Sequence, residues 1–375
     1  MLAIQQIDTG SKNDACRFVE FPYKLYTDCP QWVPPLFVDA YMFLNRKKHP
    51  FFEHSEADFF VALRDGEIVG RIAVLENKPY NKYHNKKTAN FYLFDCIEDQ
   101  AVANALFERA FEWSRARGLT QLVGPKGFGP LDGYGIQIEG FEHRQVMTMM
   151  NYNYAYYPRL IEALGFRKEV DFVSCYVSRD SYKFPERIHA IAARVEQRRV
   201  LKVKRFRNKK ELVSWGPRIG EAYNKAFVNN WEYFPFTPRE IDFVIQNIMV
   251  IADPRLIKVI THGEEIVGFL FAFPDVSAAL QRARGRLFPF GLLDLLLELR
   301  RTKWIALNGV GILPEFQGRG GNALMYSEMA KTLQDYQFQE GDLTQVAESA
   351  WEMRRDLQTF AGKPYKNHRV YVKDL

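Results

Sequence analysis

Two stretches of the chain alternate apolar and polar positions in the same way. FFVALRDGEIVGRIAVL (59–75) and LIKVITHGEEIVGFLFAF (256–273) each read as an apolar strand, a polar turn with glycine and a second apolar strand. Both enter the second strand through Ile-Val-Gly, at Gly70 and Gly268, 198 residues apart. Further on, YYPRLIEALGFRKEVDFVSCYV (156–177) and WEMRRDLQTFAGKPYKNHRVYV (351–372) each read as helix, glycine stop and strand, and Gly165 and Gly362 lie 197 residues apart. Two landmarks that agree in spacing to within one residue predict an internal duplication.

The stretches between the landmarks fit the same plan. An apolar strand at 89–97 leads to a helix-period segment at 101–118, and a strand at 305–313 leads to another at 321–336. Each half therefore reads strand, strand, strand, helix, strand, helix, strand, which predicts an α/β fold of two tandem domains, each a mixed central sheet flanked by helices. Turn-forming residues cluster in SRDSYKFPER (178–187), which puts the boundary between domains 1–180 and 181–375. The second half carries an insertion, residues 274–304, before its third strand.

Composition narrows the class without naming a partner. The 375 residues are 47% apolar and 26% charged, the balance of a globular protein. The net charge of +6 is spread through segments such as RRVLKVKRFRNKK (198–210), which fits an anionic cofactor, a membrane surface or nothing specific; no nucleic-acid partner is expected. Cys16, Cys29, Cys96 and Cys175 have neither CxxC spacing nor a histidine at metal-ligand distance, so no metal is expected. The N-terminus lacks the pattern of a signal peptide and no run approaches ~20 apolar residues, so a cytoplasmic protein is expected.

The chemistry-bearing stretch is ILPEFQGRGGNALM (312–325), which feeds a strand through a glycine-rich turn into a helix. Free N–H groups at a helix N-terminus form an anion site, and glycines let a phosphate come close. Gly318, Gly320 and Gly321 clear the approach, while Arg319 adds a charge-assisted donor. The lysine-serine ending of a P-loop is missing, as is an acidic ribose partner, so nucleotide triphosphates and NAD fit less well than another pyrophosphate. The stretch GVGILPEFQGRGGNALM resembles the signature of the GNAT acyltransferase superfamily, a strand followed by Gln/Arg-x-x-Gly-x-Gly/Ala, with Asn322 where glycine or alanine is usual.

The resemblance implies that acetyl-CoA or a longer acyl-CoA binds at Val310 and Ile312 (pantetheine arm) and at Gln317, Gly318, Arg319, Gly320, Gly321, Asn322 and Ala323 (pyrophosphate). It also implies transfer of the acyl group to an amine, received in a cleft between the two halves. The first half has FDCIEDQAVAN at the equivalent turn, where Asp95, Glu98 and Asp99 would repel a pyrophosphate, so one CoA site per chain is expected. Its glycine- and tyrosine-rich stretch 124–157 reads either as a substrate-binding loop or as a structural cover over the core.

The catalytic groups are less legible. The positions where the superfamily often has tyrosine and asparagine hold Gln358 and Ala350, which leaves Glu348, Tyr365 and the loop pair Asp132 and His143 as candidates. In the insertion, LFPFGLLDLLLELRR (287–301) sets Asp294, Glu298 and Arg301 on one helical face among six leucines, with arginines before it and Lys303 after it. Two readings stay open: a helix that covers a core, and an interfacial segment or lid over an acyl chain, which would allow peripheral membrane contact through 287–301. The second reading suits a lipid-type amine acceptor, as in the GNAT-like bacterial ceramide-forming acyltransferases. A CoA-binding or scaffold protein without turnover is the alternative outside catalysis.

Overall fold

The computed structural model describes residues 1–129, 131–147, 150–180, 184–336, 338–360 and 362–375. Residues 181–183 of the expected linker, and residues 130, 148 and 149 of the long loop, lie outside the described set. The chain begins with β1 (Leu2–Gln6), α1 (Lys12–Leu25), α2 (Phe37–Met42), β2 (Glu56–Arg64), β3 (Glu67–Glu76) and α3 (Lys78–His84). It continues through β4 (Thr88–Cys96), α4 (Gln100–Arg115), β5 (Gln121–Gly124), β6 (Ile136–Glu139), α5 (Tyr157–Ala163) and β7 (Arg167–Ser178). Next come α6 (Glu186–Arg198), β8 (Lys202–Lys204), α7 (Lys209–Ala226), α8 (Pro238–Ile248), β9 (Ile257–His262), β10 (Glu265–Pro274) and α9 (Ser277–Arg282). The last elements are α10 (Gly291–Arg301), β11 (Trp304–Ile312), α11 (Gly321–Gln334), β12 (Glu340–Ala347), α12 (Trp351–Thr359) and β13 (Lys363–Asp374).

The expected order of elements recurs in the second half around the insertion, while the first half adds α3 between β3 and β4 and β6 between β5 and α5. Each half is preceded by a segment that hydrophobic periodicity had not brought out, β1, α1 and α2 in one, α6, β8, α7 and α8 in the other. Two compact units result, but not from a single cut at residue 180. Unit 1 comprises Met1–Val173, Ser277–Leu295 and Tyr365–Leu375, and unit 2 comprises Ser174–Val276 and Leu296–Pro364. A single boundary assumes that each repeat keeps its own last strand. Instead β13 lies antiparallel to β5, Tyr371 opposite Gly124, and so completes the first unit's sheet from the far end of the chain.

In unit 1 the strand order is β1-β2-β3-β4-β5-β13, with β6 also on β13. Helix α4 buries Val102, Leu106, Phe107 and Ala110 on one face of this sheet, at the 3.6-residue spacing that the sequence showed, and α1 buries Phe18 and Val19 in the cluster on the other face. In unit 2 the order is β12-β11-β10-β9-β8, with Leu256, Val259, Ile260, Phe269, Leu324 and Met325 in its core. Gly70 and Gly268 share a physical reason: a Cβ would come within 2.9 Å of Val102 and Leu106 in the first case and 3.0 Å of Ile260 in the second. Gly165 closes α5 in the left-handed region at φ +81°, whereas after α12 the N–H of Gly362 donates to Leu357. Among the described residues no helix is long and apolar enough to cross a membrane.

Candidate functional site

The site in unit 2 starts from a bulge. On β10, Leu270 and Ala272 face Val310 and Leu307 of β11, so β11 spends one residue more than its partner around Asn308 and Gly309, and Gly309 has φ +106°. A bulge bends and twists the strand that carries it. On the other side of β11, the parallel ladder with β12 runs only from Trp304↔Glu340 to Leu307↔Leu343, while β11 continues to Ile312 and β12 to Ala347. Parallel strands that stop pairing present edge amides and carbonyls. Val310 and Ile312 lie on this continuing stretch of β11, and Ala226 at the end of α7 sits where a Cβ on Gly311 would be 3.1 Å away.

The turn into α11 comes immediately after. The Leu313 N–H donates to Val267, a short turn at Pro314–Phe316 buries Phe316, and the Gln317 amide reaches the Ile312 carbonyl at 3.4 Å. Gly318 and Gly320 have φ +71° and +84°, a region where side-chain-bearing residues are strained. Gly320 is the N-cap of α11, and no side chain caps that helix end. Arg319 is exposed, with its guanidinium 5.0 Å from the centre of the Phe316 ring. The structure thus gathers Val310, Ile312 and Gln317–Ala323 at one strand-to-helix junction. Asn322 is inside the first turn of α11 and takes ordinary helical geometry, so the tolerance of asparagine for unusual backbone angles is not used there. Gly320 is tighter than its sequence suggested, since a Cβ would come 2.7 Å from Val195 of α6.

The catalytic candidates do not assemble as a group. Asp132 is half-buried and accepts from the N–H groups of Phe128 and Gly129 at 2.6 and 2.9 Å; desolvation lifts its carboxyl to about 6. That carboxylate closes its own turn, and it is not paired with His143. His143 is partly exposed, 3.2 Å from Glu142, with its ring against Tyr365 at 5.1 Å. Tyr365 in turn receives the Lys366 ammonium at 3.2 Å. These three belong to unit 1, whereas Glu348 is in unit 2, just beyond β12, where its carbonyl accepts from Arg354.

Two other groups of unit 2 were not legible from spacing. The Tyr326 hydroxyl on α11 donates to Asp356 on α12 at 2.9 Å, and burial followed by the Asp356 charge holds the phenol well above its usual range. Only the packing of two helices brings residues thirty positions apart together. Glu232, in the loop after α7, has its carboxyl raised by burial to about 7. A neighbouring glycine motif could not have marked it, because desolvation is a property of the folded environment.

The equivalent junction of unit 1 is closed. Asp99 caps α4 by accepting from Ala101 at 2.8 Å, and the Arg64 guanidinium, 2.6 Å away, holds its carboxyl below the usual range. At the end of β4 the Cys96 N–H donates to the Tyr157 hydroxyl at 3.0 Å, and the Tyr156 hydroxyl donates to the Cys96 carbonyl at 2.6 Å. Tyr156 and Tyr157, at the end of the tyrosine-rich stretch, thus take up the end of β4, and Tyr157 is part of the first unit's core.

The fold is the GNAT type of α/β fold in tandem, with the glycine-capped helix end in unit 2 and an Asp99-capped one in unit 1. The whole chain aligns with a tandem GNAT protein from the clavulanic acid biosynthesis pathway over 98% of that chain, with a TM-score of 0.58 at 10% identity. It aligns with a GCN5-related N-acetyltransferase from Sphaerobacter thermophilus over 95% of that chain, with a TM-score of 0.53 at 14% identity. In sequence, it is 27% identical to Protein YghO of Escherichia coli over 97% of this chain and 94% of that protein. It is 28% identical to the bacterial ceramide synthase of Caulobacter vibrioides over 96% of this chain and 94% of that protein. No family model matches the chain.

Proposed function

We propose that unit 2 binds an acyl-CoA and that the protein transfers its acyl group to an amine. The observation that carries this reading is the junction at 308–323, where parted parallel strands lead into a glycine-capped helix end. In this reading the pyrophosphate meets the N–H groups of the first turn of α11 with Arg319 beside them, and the amides of the pantetheine arm pair with the β11 edge at Val310 and Ile312. Attack on the thioester forms the N–C bond and breaks the C–S bond. The amine must lose a proton and the leaving thiolate must gain one. This reading assigns the amine's proton to Glu232, whose carboxyl is raised by burial to about 7 and whose loop follows α7, where Ala226 faces Gly311. The Tyr326 hydroxyl is already committed as a donor to Asp356, so its role is to hold α11 and α12 together.

A lipid-type amine with a long acyl chain is the more specific version of this reading. It is supported by the similarity to a bacterial ceramide synthase over nearly the whole chain and by the exposed leucines of the insertion. Purified protein incubated with acyl-CoAs of two to sixteen carbons and a panel of amines, including a long-chain amino alcohol, should release free CoA in an amine-dependent way. Because the base works deprotonated, kcat/KM should rise about tenfold per unit below pH 7 and level off above it, and Glu232→Gln should remove that limb while lowering kcat by about 10²–10⁴. CoA binding without amine-dependent release would favour the non-catalytic role, and absence of CoA binding by calorimetry would reject the reading altogether.

A further inference from the structure

Helix α10 buries Leu295 but turns four of its six leucines outward. Leu292, Leu293, Leu296 and Leu297 recur at i, i+1, i+4 and i+5, which places them on one face. All four are exposed, Leu293 at 60%, and the turn before them adds Phe288 at 88% and Phe290 at 73%. The carboxylates take the inward side. Glu298 is buried, with Arg301 at 3.1 Å, and Asp294 is held by both nitrogens of Arg282 at 2.8 and 3.0 Å. A soluble helix normally turns leucine in and carboxylate out, and a contiguous apolar patch of six large side chains marks a binding surface.

The charge around the patch says what covers it. Between Arg282 and Lys303 there are six cations against two acids, a surplus of four positive charges, and both acids point inward to arginines. Arg284 and Arg286 precede the apolar residues in the chain, Arg286 lying 3.7 Å from Glu20, and Arg300 and Lys303 follow them; all four cations are exposed. Apolar side chains flanked by exposed cations suit a phospholipid surface that is negative at the headgroups and apolar beneath them. With 11 residues, α10 is far shorter than the ~20 a span requires, so it would lie in the plane of the surface.

We infer that the segment from Phe288 to Leu297 docks this protein onto anionic phospholipid bilayers, with the phenylalanines and leucines entering the acyl boundary and the flanking cations meeting the headgroups. This docking stands on the surface itself and does not require the acyl transfer proposed above, because it is read by binding rather than turnover.

The test is sedimentation of the full chain with unilamellar vesicles of phosphatidylglycerol and phosphatidylcholine, or of phosphatidylcholine alone. Binding to the anionic vesicles should exceed binding to the neutral ones by at least about tenfold and should fall as salt is raised. The double variant Leu293→Asp/Leu296→Asp should lose at least about tenfold in vesicle affinity while keeping its melting temperature, because both side chains are exposed already. Arg300→Glu/Lys303→Glu should weaken binding to anionic vesicles alone. The inference is overturned if wild type fails to bind anionic vesicles, if the leucine variant binds them unchanged, or if light scattering finds a dimer that the leucine variant dissolves, which would assign the face to a second copy.

Discussion

Both units carry the same backbone device and use it in opposite ways. In unit 1, Arg71 and Ala73 face Asp95 and Tyr92, so β4 spends one extra residue beside Leu93, whose φ is +48°, and its parallel ladder with β5 stops at Asn90↔Val123. In unit 2 the bulge at Asn308 and Gly309 follows directly on the last β11–β12 pair, Leu307↔Leu343. The strands part in both, but the groups that meet the gap differ. Unit 1 answers with its own groups: tyrosine hydroxyls take up the Cys96 amide and carbonyl, and the Asp99 carboxylate takes up the helix end. Unit 2 leaves an exposed glycine turn at the same point. A duplicated fold thus becomes one closed copy and one open copy by a few substitutions at a single junction, because the parted strands require partners and the chain supplies them only once.

The largest effect that would sharpen this comparison is at the open junction. Gly320→Asp should raise the Kd for CoA by about 100-fold or more, roughly 2.8 kcal/mol. It should also lower the melting temperature, because its side chain strains the left-handed backbone and meets Val195. Gly318→Asp shares the left-handed strain but a Cβ there meets nothing within 4 Å, so an unchanged affinity in calorimetry points to the clash at α6, and a comparable loss that Gly318→Ala does not show points to charge.

Next in size is the closed junction. Tyr157→Phe removes the hydroxyl that accepts the Cys96 N–H and leaves that buried donor unpaired, which should destabilise the protein by about 1–3 kcal/mol in denaturant unfolding. CoA affinity should not move. A variant that gained a second CoA site would show instead that the tyrosines alone keep unit 1 closed.

The smallest effect is expected from Asp99→Gly, which copies the open junction into the closed one. Glycine is a tolerable N-cap, so the lost cap should amount to only a few tenths of a kcal/mol, and the exposed Arg64 pair adds little. Titration should still give one CoA per chain, because the Tyr156 and Tyr157 hydroxyls continue to fill the parted strands.

The duplication, the strand and helix order of each repeat and the glycine junction at 318–321 were all legible in the sequence. Each is a local property: periodicity arises from the geometry of one strand or helix, and a glycine-rich turn states its own backbone requirement. The bulges beside Leu93 and Asn308 were not, because a register is a relation between two strands. The same holds for Tyr326 and Asp356, for the desolvated carboxyl of Glu232 and for the failure of Asp132 and His143 to pair, each set by neighbours distant in the chain. Sequence likewise showed amphipathic spacing in 287–301, of which Gly291–Arg301 is helical, since amphipathicity is a matter of spacing. Which face looks outward was decided by tertiary structure alone, because the packing of Leu295 and the pairing of Asp294 with Arg282 face inward and leave Leu292, Leu293, Leu296 and Leu297 to the outside.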